Sequence, residues 1–206
     1  MTKQVDRSHY AFSKYMHKKR WCSIWHQLRE VMKFDPVSVL EVGPGPGVFK
    51  TVSALFGVNV ETLDIDSELK PDHVGSATNL PFDACAFDVV CSFQMLEHLP
   101  YDLALCAFKE MVRVSRQGVV VSIPDAGYCW RCLLHIPKIG KFSTILSLPL
   151  LRNKRHVFDG EHHWELNKKG YELKKVVRDM EVGCSLVETY RVFEHPFHRF
   201  LIFVKK

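Results

Sequence analysis

The 206-residue chain has no apolar run near the ~18 residues needed to cross a bilayer. Residues 1–7 hold no hydrophobic stretch of the kind a secretory signal requires. The cysteines number seven, an odd count, and are scattered, which argues against a disulfide framework and for reduced thiols in a cytoplasm. Internal repeats and low-complexity tracts are missing. So is acid over one long segment: between Ala126 and Phe158 there is no Asp or Glu, while Arg131, Lys138, Lys141, Arg152, Lys154 and Arg155 are all there. The chain's net charge of +5 is therefore confined to that segment, which disfavours nucleic acid as a partner. What remains is ordinary: 47% hydrophobic residues over this length suffice for one globular domain with a sizeable core.

The most informative stretch is Val37 to Gly47. Val37–Val42 is a short, β-branched apolar run and reads as a buried strand. Gly43, Gly45 and Gly47 then alternate with Pro44 and Pro46, and a helical segment, Val48–Leu55, follows. Strand, glycine turn and helix form the opening of a nucleotide-type site at the carboxyl end of a parallel sheet. A dinucleotide fingerprint needs its third glycine where Val48 stands, and the two prolines remove amides a pyrophosphate would use. The loop is a surface for close approach, which disfavours a nicotinamide dehydrogenase. A second strand, Val58–Leu63, ends at Asp64, whose carboxylate can accept both hydroxyls of a ribose.

Four segments in order now resemble the class I S-adenosylmethionine-dependent methyltransferases of the ubiquinone/menaquinone-methyltransferase-like type. They are Glu41 to Gly47; Leu63-Asp64-Ile65-Asp66; Asn79-Leu80-Pro81-Phe82 with Phe87-Asp88-Val89-Val90; and Leu96-Glu97-His98-Leu99. The resemblance implies a Rossmann-like, seven-stranded, mostly parallel sheet with helices on both faces and an antiparallel last strand. It implies S-adenosyl-L-methionine as cofactor, S-adenosyl-L-homocysteine as product, and a small-molecule acceptor. Asp64 would meet the ribose and Ser76 the adenine, with Ile65 and Ala77 also among the cofactor-binding residues. Ser76 departs from the family, which usually has an acid there. Glu41 would hold the methionine ammonium, and Phe93 and Gln94 would lie beside the sulfonium. A non-catalytic relative acting as a binding module is the alternative.

Three histidines are candidates for taking a proton from the acceptor: His98, His162 and His163, since imidazole titrates near neutrality. No metal site is assigned. The pair Cys129 and Cys132, with histidines nearby, is a weak zinc signal. An amphipathic helix over 9–32, with Trp21, Ile24, Trp25, Leu28, Val31 and Met32 as its stripe, would cover the cofactor site as part of an N-terminal unit, 1–35. Helix 100–115 ends at Gly118 as a cap, followed by strand 119–123. Residues 124–165 show no clean helix or strand signal and read as an inserted substrate lid. Its basic, apolar part, 126–158, is alternatively a peripheral membrane contact, with Trp130 and Phe142 suited to the interface. Helix 168–181 follows, with Asn167 as its N-cap and Leu173, Val176, Val177 and Met180 inward. Strands 185–193 and 199–205 close an antiparallel pair.

Overall fold

The computed structural model describes residues 10–148 and 154–206, so Arg152 lies outside the described residues. In chain order the elements are α1 (Phe12–Tyr15), α2 (Lys18–Met32), β1 (Ser38–Val42), α3 (Val48–Ala54), β2 (Asn59–Asp64), β3 (His73–Val74), β4 (Phe87–Phe93) and α4 (Tyr101–Val114). Then come β5 (Ser115–Pro124), β6 (Cys129–Ile136), β7 (Gly140–Ser147), α5 (Leu173–Met180), β8 (Cys184–Arg191) and β9 (His198–Lys205).

Seven strands form one sheet in the order β3-β2-β1-β4-β5-β9-β8. Strands β1 to β5 run parallel, and β9 lies antiparallel between β5 and β8. The expected Rossmann-like sheet is thus present. Side-chain alternation splits the core by face. Leu40, Val42, Val90, Val119 and Val121 pack with α4 and α5. Val39, Val89, Cys91 and Val120 pack with Val31 of α2 and Phe49 of α3 on the other face. Strand β4 is buried along its whole length, as a central parallel strand covered on both faces must be.

Five expectations need correction. The N-terminal helix is broken: His17 is extended between α1 and α2, and its Nδ1 accepts from the Arg20 amide at 3.2 Å. The face of α2 turned inward holds Ser23, Ile24, Gln27, Glu30 and Val31, while Trp21 and Trp25 are more than half exposed. Polar partners on the sheet cause this rotation: Ser23 meets His198 at 2.7 Å and Glu30 meets Tyr190 at 2.8 Å. Gly118 is no helix cap. It lies inside β5, where a Cβ would come 2.3 Å from the Phe203 carbonyl.

Asn167 is no N-cap of a helix starting at 168, since α5 begins only at Leu173. Its amide instead donates to Asp125 at 2.8 Å and its carbonyl accepts from the Leu173 amide at 3.3 Å. Finally, 124–165 is not without regular structure. β6 and β7 pair as an antiparallel hairpin from Cys129↔Ser147 to Ile136↔Gly140. The alternation was hard to read because both faces of this hairpin are exposed and carry apolar residues. The core resumes at Trp164, which is fully buried, and Leu166 bridges to the end of β5.

Candidate functional site

Two cavities open where β1, β2 and β4 end, around the point at which strand order reverses between β1 and β4. Open α/β sheets bind ligands there. The first has a volume of about 400 Å³ and is lined by Asp64, Ile65, Asp66, Ser76 and Ala77, with Leu63, Leu69, Met95, Leu99 and Leu103. The second, about 350 Å³, is lined by Tyr15, His17, Arg20, Glu41, Phe93, Glu97, Glu161, His162, His195 and His198. Tyr10, Gly43, Gly45, Gln94 and His98 line both and form the boundary between them.

The glycine loop makes this boundary thin. Gly43 and Gly45 have φ of +74° and +54°. A Cβ on Gly43 would lie 2.5 Å from the Met95 side chain, and one on Gly45 would lie 3.0 Å from the Tyr10 ring. Only residues without a side chain let the chain take this path and leave room beside it. Gly47, by contrast, starts α3 in a left-handed conformation and lines neither cavity.

Asp64 ends β2, and its Oδ1 accepts from the Asp66 amide at 2.9 Å. Burial raises its carboxyl above the ordinary range. Glu41 is buried beneath the glycine loop, and its Oε2 has no hydrogen-bond partner. Burial pushes its carboxyl up to about 8, against the opposing pull of Lys50. The departure at Ser76 leaves a hydroxyl that bonds Thr78 Oγ1 at 2.9 Å on the cavity wall. Phe93 packs on Phe49 and Phe200 while bordering the second cavity. Gln94 sits at φ +57°, its amide bonded to the Ser122 carbonyl at 2.9 Å.

Of the candidate proton acceptors, His98 and His162 meet with ring centroids 5.2 Å apart. His98 Nδ1 bonds the Glu161 carbonyl at 3.0 Å. His162 Nδ1 bonds the Glu165 carboxylate at 3.0 Å. Burial alone would lower the His162 pKa, but the hydrogen bond to Glu165 and the nearby Glu97 raise it overall. His163 lines neither cavity. Its ring stacks on Phe158 at 4.5 Å and its amide donates to the Glu97 carbonyl at 2.8 Å. The expected lid supplies only its last part to the site, Glu161 and His162; among the described residues, 126–160 touch neither cavity. Cys129 and Cys132 sit three apart on β6, so their thiols leave opposite faces and cannot grip one ion as a pair.

Sequence reasoning missed Tyr10, Tyr15 and Arg20, which reach the cavities from the N-terminal segment, His195 from the β8–β9 connection and His198 at the start of β9. It also gave no role to Glu97, although it quoted the motif that contains it. Burial lowers the pKa of both His195, to about 4, and His198, so both are neutral at pH 7.

Strand order, the antiparallel β9 and the glycine loop ending β1 define the class I S-adenosylmethionine-dependent methyltransferase fold. The family described as "Methyltransferase domain" matches residues 40–123. No curated protein matches the sequence significantly. Among solved structures, the PH0226 protein from Pyrococcus horikoshii OT3 superposes with a TM-score of 0.65 at 14% identity, covering 98% of this chain and 100% of that one. The CcbJ methyltransferase from Streptomyces caelestis gives 0.63 at 12% identity, covering 99% of each. The magnesium protoporphyrin IX methyltransferase ChlM from Synechocystis PCC 6803, crystallised with bound SAH, gives 0.56 at 14%, covering 91% of this chain and 84% of that one. At these identities the likeness is one of fold.

Proposed function

We propose that the chain transfers a methyl group from S-adenosyl-L-methionine to a small, polar acceptor. The observation that carries this reading is the pair of adjoining cavities divided by Gly43 and Gly45. One ends at a strand-end carboxylate, Asp64, and the other is lined mainly by ionisable side chains. The residues fit the cofactor: Asp64 for the ribose, Ser76 and Ala77 for the adenine, and the buried, unpartnered Glu41 oxygen for the ammonium. Bound there, S-adenosyl-L-methionine supplies a methyl group already activated by a sulfonium. The protein's own work is then positioning and exclusion of water. Tyr15, with the Arg20 guanidinium 4.1 Å from its ring centroid, and Tyr10, edge-on to Tyr15 at 5.1 Å, close the loop side. His98 and His162 border the second cavity, on the side where the acceptor would lie. Five histidines and three glutamates on the second cavity favour an acceptor with oxygen or nitrogen nucleophiles over a lipid tail. The seven thiols, all unpaired, fit a cytoplasmic protein.

Titration calorimetry with S-adenosylhomocysteine tests this reading. Asp64→Ala should weaken binding by about 1.5–3 kcal/mol, as expected for hydrogen bonds to a charged group. No binding by the wild-type chain would sink the proposal.

The β6–β7 hairpin supports a second, separate contact. Trp130, Leu134, Phe142 and Leu146 share one of its faces, each 47–66% exposed, with no acid in the segment. An anionic membrane surface fits that combination of apolar anchors and positive charge. No helix among the described residues is long and apolar enough to cross a membrane, so such a contact would be peripheral.

A further inference from the structure

Glu97 is wholly buried, and neither of its carboxylate oxygens has a hydrogen-bond partner. A wholly buried carboxyl with no partner is unusual, since buried polar groups in native structures are nearly always hydrogen-bonded. The side chain lies on the wall of the second cavity next to two imidazoles, with donor atoms of Glu97, His98 and His162 all within 4.8 Å of one another. We propose that Glu97, His98 and His162 form a three-ligand site for a divalent transition-metal ion on the acceptor side of the pocket.

The arrangement has the features such a site needs. Two imidazoles and one carboxylate are the donor set of open zinc and non-haem iron sites, and they suit Zn²⁺, Mn²⁺ or Fe²⁺ better than Ca²⁺. A shared ion about 2.1 Å from each donor is within reach of small rotamer changes. Each ring is already oriented by a bond at Nδ1: His98 to the Glu161 carbonyl and His162 to the Glu165 carboxylate. A carbonyl can only accept, so His98 carries its proton on Nδ1 and the lone pair on Nε2. This is how ligating histidines are held in metal sites. Three protein donors leave coordination positions open toward the cavity. An acceptor bearing a hydroxyl or carboxylate could bind there.

A competing trio, Asp159, His162 and Glu165, shares one histidine with this set. Its carboxylates are already engaged. Asp159 Oδ1 accepts the amides of Glu161 and His162 at 3.0 and 2.8 Å, and Glu165 Oε1 bonds His162. Neither residue lines a cavity. Glu165 thus supports the His162 ring, and Glu97 is the ligand.

The role given to the ion rests on the methyl-transfer reading, but the site itself does not, so the test uses neither cofactor nor acceptor. The full chain, stripped with chelator and checked for folding by circular dichroism, is titrated with ZnCl₂ and with MnCl₂ by calorimetry. One ion per chain is expected, bound at least 10-fold more weakly by Glu97→Gln and by His162→Ala. Glu165→Gln should weaken binding too, by about 10–100-fold if it acts through the ring. Cys129→Ser should change nothing. Absence of binding by the folded wild-type chain, or equal affinity in Glu97→Gln and the wild type, overturns the proposal. If a substitution at 162 unfolds the chain, Glu97→Gln alone decides. Metal binding without S-adenosylhomocysteine binding would keep this site and refute the cofactor reading; the reverse would do the opposite.

Discussion

Ser23 Oγ and His198 Nδ1 lie 2.7 Å apart, joining α2 to β9 across 175 positions of sequence. Both side chains are buried, and the pair fixes the N-terminal segment that brings Tyr10, Tyr15 and Arg20 to the cavities. Ser23→Ala leaves a buried imidazole nitrogen unsatisfied. Urea unfolding should show a loss of about 1–3 kcal/mol. S-Adenosylhomocysteine affinity should fall with it. A loss of stability with unchanged affinity would mean that the segment does not shape the site.

Gly45→Val should abolish S-adenosylhomocysteine binding while the chain stays folded. The new side chain would start 3.0 Å from the Tyr10 ring at a φ of +54°. That is a local conflict with side chains, unlike one at Gly118, where the clash is with the backbone of β9. Unaltered calorimetric affinity in Gly45→Val would place the cofactor elsewhere.

Burial holds Glu41 protonated up to a pH of about 8, whereas an unfolded glutamate titrates near 4.5. Between those values the native state carries a proton that the unfolded state has lost. Glu41 therefore stabilises the free protein fully only below the unfolded value, and this contribution falls as pH rises toward 8. The slope is at most about 1.4 kcal/mol per pH unit. Glu41→Gln removes this dependence. The variant should gain stability relative to wild type from pH 5 to pH 8. Parallel pH profiles for the two would show that Glu41 is ionised in the free protein.

Asp125 is buried and accepts from Arg191 and Arg199, from Asn167 at 2.8 Å and from the Gly127 amide at 2.9 Å. Asp125→Ala would leave the buried Arg191 guanidinium without its counter-charge. A destabilisation of about 3–5 kcal/mol is expected in chemical denaturation. A loss below about 1 kcal/mol would mean that the two arginines find solvent or other partners.

If the β6–β7 hairpin meets an anionic bilayer, the wild-type chain should sediment with vesicles containing phosphatidylserine and not with pure phosphatidylcholine. Salt should weaken that binding by screening. Trp130→Ser with Phe142→Ser should abolish it without changing S-adenosylhomocysteine affinity. Sedimentation with neither vesicle type would remove the membrane from consideration.

The sheet and the cofactor side were legible because their signals are local. β-Branched runs, alternate glycines and an acid at a strand end depend on neighbours in sequence, and the structure brings Asp64, Gly43 and Gly45 together on one cavity. The polar cavity was less legible because its walls come from five distant stretches, around residues 10–27, 41–49, 93–98, 161–162 and 195–198. Only the fold brings His195 beside His17, with ring centroids 5.8 Å apart. The α2 stripe misled because aromatic residues look like core in any helical pattern. Trp25 instead lies on the outside, with the Arg29 guanidinium 5.0 Å from its ring.

The placement of β9 has a consequence for how the chain is made. On the ribosome, β5 emerges with its outer edge open, and β8 follows without a hydrogen-bonded neighbour, since its place in the sheet is defined only by the strand that comes after it. Until residues 198–205 take their place, the facing edges of β5 and β8 wait for the same insertion. A chain lacking residues 198–205 would hold a sheet that ends at β5, with β8 left unpaired. Chaperones that shield strand edges would be most needed at that point of synthesis.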